Sequence, residues 1–389
     1  MMGPLDNIRV IEVGHALAGP MAATFLGDFG ADVIKIERRD GGDSHRTMGP
    51  RRDGVGIWWL VVGRNKKSLT LDLKKEEGRR ILLDLVRDAD VLVENYRPGV
   101  LEGLSLGWSH LQAVNPRLVM LRISGFGQTG PYRERGGYGK IAEAFCGATN
   151  LTGYRGQPPV HPGYSLADAV CALAGAYGVS LALLARQRSG TGQVVDLALY
   201  EPLFRLIEWQ IPLHVLQGLR IERNGPQFPF TEAFVTDICR TKDGDNVVVS
   251  AATRDTLERL AALMREEDLV SGSPSTEELG AALRAWILRN DRDVVLKQFE
   301  ERKLVAGLVY TPAEMLSDSH MQARKNIVEV EHPVLGSVPM PGVVPTLLET
   351  PGAVRWAGPA LGQHTDAILR DYLGYDAQRI ADLKSRGVV

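Results

Sequence analysis

The stretch Gly163 to Gly192, GYSLADAVCALAGAYGVSLALLARQRSGTG, most constrains what this chain can fold into. It is the most apolar long segment of the sequence and carries one acid, Asp168, near its start. Leu166, Val170, Leu173, Tyr177, Leu181 and Leu184 recur at helical spacing, with small residues Ala172, Ala176 and Ser180 at every fourth position. The pattern predicts a helix buried nearly all round, with a small-residue stripe where another backbone approaches closely. Ser165 is the expected N-cap, and Gly190 and Gly192 end the helix after Arg186 and Arg188. Two readings of Asp168 are open. Ser165-Leu166-Ala167-Asp168 fits a capping box, in which the acid bonds back to the cap N–H. The same acid also fits a reactive carboxylate at a positive helix end, serving as base or nucleophile.

At 389 residues the chain is too long for one ordinary core, and two lobes are expected. Hydrophobic residues make up 44 % and charged residues 24 %, with a net charge of −2, so no general pull toward nucleic acid or an anionic membrane is expected. Cys146, Cys171 and Cys239 are isolated, which supports neither a disulfide framework nor a zinc site. The start, MMGPLDNIRVIEVG, has no leader-like apolar region, and no apolar run is read as reaching membrane-spanning length. A cytoplasmic protein with no membrane partner is the expectation.

In chain order, strands are read at Ile8–Val13, Ala31–Glu37, Ser68–Leu73, Asp90–Asn95, Leu118–Ser124 and Gln193–Leu199. Helices are read at about Met21–Phe29, Lys74–Arg87, Val100–Ala113 and Glu201–Val215. This alternation predicts an α/β fold with a Rossmann-like open parallel sheet covered on both faces. A smaller α+β lobe follows, with strand Val247–Ser250 and helices Arg254–Met264, Thr276–Asn290 and Asp291–Arg302; from Asn326 the chain reads β-like and Pro-rich. The expected division is a large domain from 1–220 and 326–389 and a small domain from 221–325.

Ligands collect at the carboxyl ends of such strands, and here those ends are polar and flexible: GHALAGP, ERRDGGDSHR, ENYRPG and SGFGQTGPY. Arg38, Arg39, Arg46, Arg51 and Arg52 make the second loop basic, which fits either a solvated face or phosphate-binding arginine forks. Gly125-Phe126-Gly127-Gln128-Thr129-Gly130 formally matches a dinucleotide fingerprint. Pro131 and YRERGGYG follow, so no helix opens where the motif requires one, and NAD binding is rejected in favour of a tight loop.

Taken together these residues resemble the class III CoA-transferase family, which includes formyl-CoA and carnitine CoA-transferases and a branch of α-methylacyl-CoA racemases. The likeness rests on Leu17-Ala18-Gly19-Pro20, Gly30 to Arg38, Asn65-Lys66-Lys67-Ser68, Glu94-Asn95-Tyr96-Arg97-Pro98-Gly99, Ser124 to Pro131, Asp168, Gly190-Thr191-Gly192-Gln193 and Leu361-Gly362-Gln363-His364-Thr365. It implies a large domain built from both chain ends and a homodimer of interlocked rings. It also implies that Asp168 is the nucleophile, passing through a mixed anhydride and an aspartyl-CoA thioester. CoA and acyl-CoA are then substrates, a small carboxylic acid is the other, and no permanent cofactor or metal is expected.

The resemblance further implies that Arg38 meets the CoA phosphate region, and that Asn95, Tyr96, Arg97 and Lys140 line the CoA cleft. Leu17 and Ala18 turn their backbone toward the thioester, and His15 and Tyr138 lie near the substrate. Some formyl-CoA transferases carry glutamine at the position of Leu17, so that side-chain contact is missing here. Racemases of the family place a second acid/base in a G-H-D motif; this chain has Gly137-Tyr138-Gly139, and a tyrosine of ordinary pKa near 10 is a poor base at neutral pH. His161 is the substitute base to consider. The Gly-rich loop of formyl-CoA transferases has no counterpart between Arg223 and Asp243, which argues against oxalate and leaves a dicarboxylate or other acid as acceptor. A noncatalytic CoA-binding protein is the remaining alternative.

Overall fold

In the computed structural model, which describes residues 3–229 and 234–389, the apolar runs of the first half pair into a six-stranded sheet. Its strands are β1 Arg9–Glu12, β2 Asp32–Glu37, β3 Lys66–Thr70, β4 Val91–Glu94, β5 Val119–Ser124 and β6 Val194–Ala198. Every pairing is parallel and the spatial order is β3-β2-β1-β4-β5-β6. The order reverses between β1 and β4, so the loops leaving those strands diverge and open a crevice at their carboxyl ends.

One face of the sheet buries Ile11, Ile34, Leu69, Leu92 and Met120 against Ile81, Leu85, Leu111, Leu369 and Leu383 of helices Glu76–Arg87, Trp108–Val114, Thr365–Leu373 and Ala377–Ser385. The terminal helices thus complete a layer begun by the first third of the chain. The other face carries helix Ala18–Asp28 and the long helix Leu166–Ser189, which pack on each other. The first of these starts earlier than the sequence suggests. Pro20 sits in its first turn, where a missing N–H costs no intrahelical bond.

The long helix is covered on one side only, which corrects the expectation of burial all round. Ala167, Cys171, Ala172, Gly175, Val179 and Ala182 face inward. A Cβ on Gly175 would lie 2.9 Å from Leu121 Cδ2, and one on Gly178 would lie 2.9 Å from Val195 Cγ1. The close approach therefore occurs at these glycines, against β5 and β6, rather than along Ala172, Ala176 and Ser180, of which only Ala172 is fully buried. On the far side Leu173, Tyr177, Leu181 and Leu184 are 52 %, 66 %, 47 % and 55 % exposed, because the sheet reaches only one side. At 24 residues the helix is also long and apolar enough to cross a membrane by length and composition, contrary to the expectation that no run reaches that length.

Two helices read as continuous are broken. Val100–Gly103 and Trp108–Val114 are separated at Ser105, whose φ is +57°, with Gly107 packed on Glu102. Glu201–Leu206 and Gln210–Gln217 likewise form two pieces. The residues after β5 form turns through Gly127 and Gly130, both at positive φ, and the next helix, Gly139–Phe145, starts well beyond them. The GxGxxG match is thus a loop.

The chain divides into two compact units: Met1–Cys146 with Pro162–Ile207 and Met321–Val389, and Gly147–His161 with Glu208–His320. The boundaries differ from those read in the sequence because Gly147–His161 is tied to the later segment; Gly225 N–H donates to Gly153 O at 2.8 Å and Asn150 Nδ2 to Ile221 O at 3.0 Å. In the second unit an antiparallel sheet of Val235–Arg240, Asn246–Ala251 and Val305–Leu308 packs on helices Arg254–Glu266, Thr276–Arg289 and Arg292–Glu301 around Leu263, Met264, Leu283 and Ile287. The first and last of these strands went unread in the sequence. Ile327–His332 and Gly336–Pro341 form the hairpin behind the Pro-rich signal, in the first unit. Residues 230–233, inside the Arg223–Asp243 interval, lie outside the described residues.

Candidate active site

The crevice between β1 and β4 is closed at its base by one side chain used twice. Asn95 Oδ1 accepts from His15 N–H and Asn95 Nδ2 donates to His15 O, both at 2.8 Å. The neighbouring glycines make room for this clasp: a Cβ on Gly14 would lie 2.7 Å from Asn95 Oδ1, and one on Gly19 would lie 3.1 Å from its Cγ. Both glycines of the GHALAGP turn are thus required by the asparagine of ENYRPG.

Beneath this floor lie four charges with almost no contact with solvent. Lys35 Nζ touches Glu12 Oε1, Asp43 Oδ2 and Gly14 O, each at 2.6 Å, and Lys66 Nζ reaches Glu12 Oε2 at 2.8 Å and Pro20 O at 2.6 Å. Burial opposes both lysine charges; at Lys35 the carboxylates of Glu12, Asp43 and Glu37 outweigh it and raise the pKa, whereas at Lys66 burial prevails and the pKa falls. Asp43 is also desolvated, yet the ammonium of Lys35 and the adjacent His45, whose backbone N–H donates to it, hold it far below the usual carboxylate range. Two ammoniums and two carboxylates balance, which is what allows them to remain buried.

The loop after β2 is held by the same pattern. Arg46 Nε and Nη2 each bond Glu37 at 2.7 Å, and its guanidinium stacks 4.0 Å over Trp59. Arg46 is therefore committed to the fold and is not a phosphate fork, while Arg38, Arg39, Arg51 and Arg52 are exposed.

Above lies a cavity of about 390 Å³ whose wall includes Asp168. Asp168 is the third residue of the long helix, but the capping box is not formed: Ser165 makes no side-chain cap bond. The acid that serves the helix start is Glu143, fully buried, which accepts from Ala167 N–H at 3.4 Å and binds Lys140 Nζ at 3.1 Å. The Asp168 carboxyl is thereby left to the cavity. Burial, then the nearby Glu143 charge, push its pKa up to about 6, against the smaller pull of a bond from its own backbone N–H and of Lys140 and His45. At neutral pH it is mostly ionised and poorly solvated, the condition of a usable nucleophile. Cys171, one turn along, is inert: burial pushes its thiol well above the usual range.

Of the residues singled out in the sequence, His15, Leu17, Ala18, Asn95, Tyr96, Arg97, Tyr138 and Asp168 all line this cavity. His15 lies 5.5 Å from the Tyr96 ring, and burial lowers its pKa, so it is neutral at pH 7. Tyr138 is 76 % exposed. Arg38 is not in the wall, although its charge bears on His15. Lys140 is elsewhere engaged: beyond Glu143 its ammonium donates to Pro162 O at 2.9 Å and Tyr164 O at 2.7 Å, anchoring the approach to the long helix. His161 belongs to the second unit, with its Nδ1 3.2 Å from Thr149 Oγ1. Sequence reasoning missed His45, Met48, Trp58 and Arg135, which also line the wall. It passed over Gly139 as well, where a Cβ would sit 2.1 Å from Asp168 Oδ2. Among the described residues no cluster of His, Cys, Asp and Glu could hold a metal ion.

An ionisable carboxylate on a helix start, facing a cavity at the switch point of a parallel sheet, offers a base or a nucleophile to a ligand bound there. Comparison with known proteins makes this specific: residues 5–365 match the model of CoA-transferase family III, and the chain belongs to that family. It is 42 % identical over 396 residues to the succinyl-CoA–D-citramalate CoA-transferase of Chloroflexus aurantiacus, covering 99 % of this chain and 98 % of that protein. It is 40 % identical over 401 residues to the alpha subunit of the succinyl-CoA–L-malate CoA-transferase of Chloroflexus aurantiacus, covering 99 % and 92 %. The fold matches the crystal structure of a CaiB/BaiF family protein from Brucella suis with a TM-score of 0.86, at 28 % identity, over 96 % of this chain and 100 % of that one. The chain is a CoA-transferase, and CoA thioesters are its substrates.

Because Gly139 leaves space for the Asp168 carboxylate, Gly139→Ala is expected to lower kcat on the order of 100-fold by displacing it, while leaving the thermal melt near that of the wild type. Unchanged kinetics in that variant would show that the carboxylate is not confined there.

Proposed function

We propose that the chain transfers CoA from succinyl-CoA or a similar acyl-CoA to a dicarboxylic acid, with Asp168 as covalent nucleophile. The observation that carries this reading is the Asp168 carboxylate, unused by the helix cap and turned to the cavity with its pKa up to about 6. The dicarboxylate class is supported by the relatives named for succinyl-CoA with D-citramalate or L-malate.

The steps follow from carboxylate chemistry. An Asp168 oxygen attacks the thioester carbonyl, the C–S bond breaks, and CoA leaves as thiolate from a mixed anhydride. The thiolate attacks the aspartyl carbonyl, releasing the donor acid as carboxylate and leaving an aspartyl-CoA thioester. The acceptor carboxylate then attacks this thioester, and the freed thiolate takes the acceptor acyl group, regenerating Asp168. No step consumes a proton, and no energy of the thioester is lost to water. A hydroxyl nucleophile would stop at an ester.

The backbone of Leu17 and Ala18 with Asn95, Tyr96 and Arg97 then bounds the CoA side of the cavity, His15 and Tyr138 the acyl side, and Arg38 its mouth. The chain works as a homodimer in this reading, because the Leu173–Leu184 face of the long helix is apolar and uncovered in the single chain. Sedimentation equilibrium is expected to give a mass of two chains; a monomer at micromolar concentration would refute the dimer.

Trapping decides the mechanism. Incubation with acyl-CoAs followed by borohydride or hydroxylamine is expected to modify Asp168 in the wild type and nothing in Asp168→Ala. No adduct, with exchange of the substrate α-proton into deuterated solvent, would instead indicate a racemase; no adduct and no exchange, a CoA-binding protein. The attacking form is the ionised one. With the Asp168 pKa up to about 6, kcat/KM is therefore expected to be level at neutral pH and to fall as pH drops through about 6, approaching tenfold per unit. An acid limb only near pH 4, where an ordinary carboxyl titrates, would show that the site does not desolvate this group.

A further inference from the structure

One ring nitrogen in the cavity wall has no partner in the protein. His45 is 1 % exposed, its Nδ1 faces the Asp43 carboxylate, and its Nε2 makes no hydrogen bond. Leaving buried polar atoms unpaired is costly, so a ring in this state marks a place where something else binds. We propose that His45 receives the far carboxylate of a dicarboxylate substrate, the group that does not react. This rests on the transferase reading and names which end of the substrate is recognised and by what.

The ring is held firmly. Asp43 Oδ1 accepts from the backbone N–H of His45 at 2.9 Å and of Ala16 at 3.2 Å, while Lys35 fixes the other Asp43 oxygen at 2.6 Å. The edge of Trp58 packs at 4.5 Å between ring centroids. His45 Nδ1 is 3.7 Å from Asp43 Oδ1, too far for a hydrogen bond but close enough to orient the Nδ1 proton toward that carboxylate. Nε2 is then the nitrogen left for a ligand. A carboxylate bound there pairs with the Nε2 edge of the ring while Asp43 faces its Nδ1 edge.

The other basic groups of the wall suit this role less well. His15 is neutral at pH 7. Arg97 and Arg135 are solvent-exposed, and Arg135 stacks on Tyr132 at 3.6 Å. A solvated arginine discriminates weakly because water replaces a missing ligand group. A buried imidazole left unpaired by the wrong substrate discriminates strongly. The same contact would serve a succinyl donor and a dicarboxylic acceptor in turn, since each presents its far carboxylate when its reacting carbon is at Asp168.

The test uses the full-length protein and substrate pairs differing in that carboxylate: succinyl-CoA against butyryl-CoA as donor, and L-malate or succinate against butyrate as acceptor. In His45→Leu the ratio of kcat/KM for the dicarboxyl over the monocarboxyl partner is expected to fall about 10- to 100-fold, through KM of the dicarboxyl substrate and with kcat little changed. His45→Gln, which keeps an N–H donor, is expected to retain much of the ratio. Formation of the Asp168 adduct from butyryl-CoA shows that each variant keeps an intact site. Equal losses for both partners, or no loss, would overturn the assignment while leaving the transferase reading untouched. A wild type that transfers CoA between none of these pairs and forms no adduct would overturn both, before any variant is made.

Discussion

The site depends on four charges that water does not reach. Glu12, Lys35, Asp43 and Lys66 come from the end of β1, the interior of β2, the following loop and the start of β3. Their mutual bonds tie β1, β2 and β3 to the loop after β2. Removing one partner would strand an uncompensated charge, so the set stands or falls together. Through Gly14 O and Asp43 the cluster also fixes the turn that carries His15 and Ala16 and the loop that carries His45. Electrostatics beneath the floor thus determine the shape of the cavity above it.

The exposure of the Asp168 carboxyl to the cavity comes from a substitution of roles. A helix start offers unpaired N–H groups and a positive field, and an acid at its third position ordinarily turns back to use them. Here Glu143, from the preceding short helix, accepts Ala167 N–H, and Lys140 balances its charge. Asp168 keeps the favourable helix field but not the cap. Burial and Glu143 raise its pKa, the helix restrains the rise, and Gly139 leaves the room it occupies. The result is a carboxylate ionised at neutral pH but weakly solvated.

Much of the sheet was legible because its strands are continuous apolar runs with polar, Gly-rich exits, and buried parallel strands have that appearance. The strands of the second unit were less so: Val235–Arg240 mixes apolar with polar residues, and Val305–Leu308 is only four residues long and pairs with Val247–Ser250, far away in sequence. The long helix misled in a particular way. Its apolar face Leu173, Tyr177, Leu181 and Leu184 has the spacing of a buried stripe, yet burial depends on whether anything lies opposite, which spacing does not record. Asp168, Asn95 and His15 could be found in the sequence through their motifs. His45 could not, because a histidine in a charged loop looks solvated until Asp43 and Trp58 are seen to enclose it.

The sequence by itself determined the α/β alternation, the glycines at the strand exits and the presence of one acid in an apolar helix, because these are properties of neighbouring residues. Only the tertiary structure decided what that acid is free to do. Whether Ser165 or Glu143 serves the helix start, whether Lys140 reaches a ligand or the chain before the helix, and whether Arg46 meets phosphate or Glu37 are contests between partners far apart in sequence. Each was settled by which charges the fold buried together, since a buried charge must find its partner within the protein.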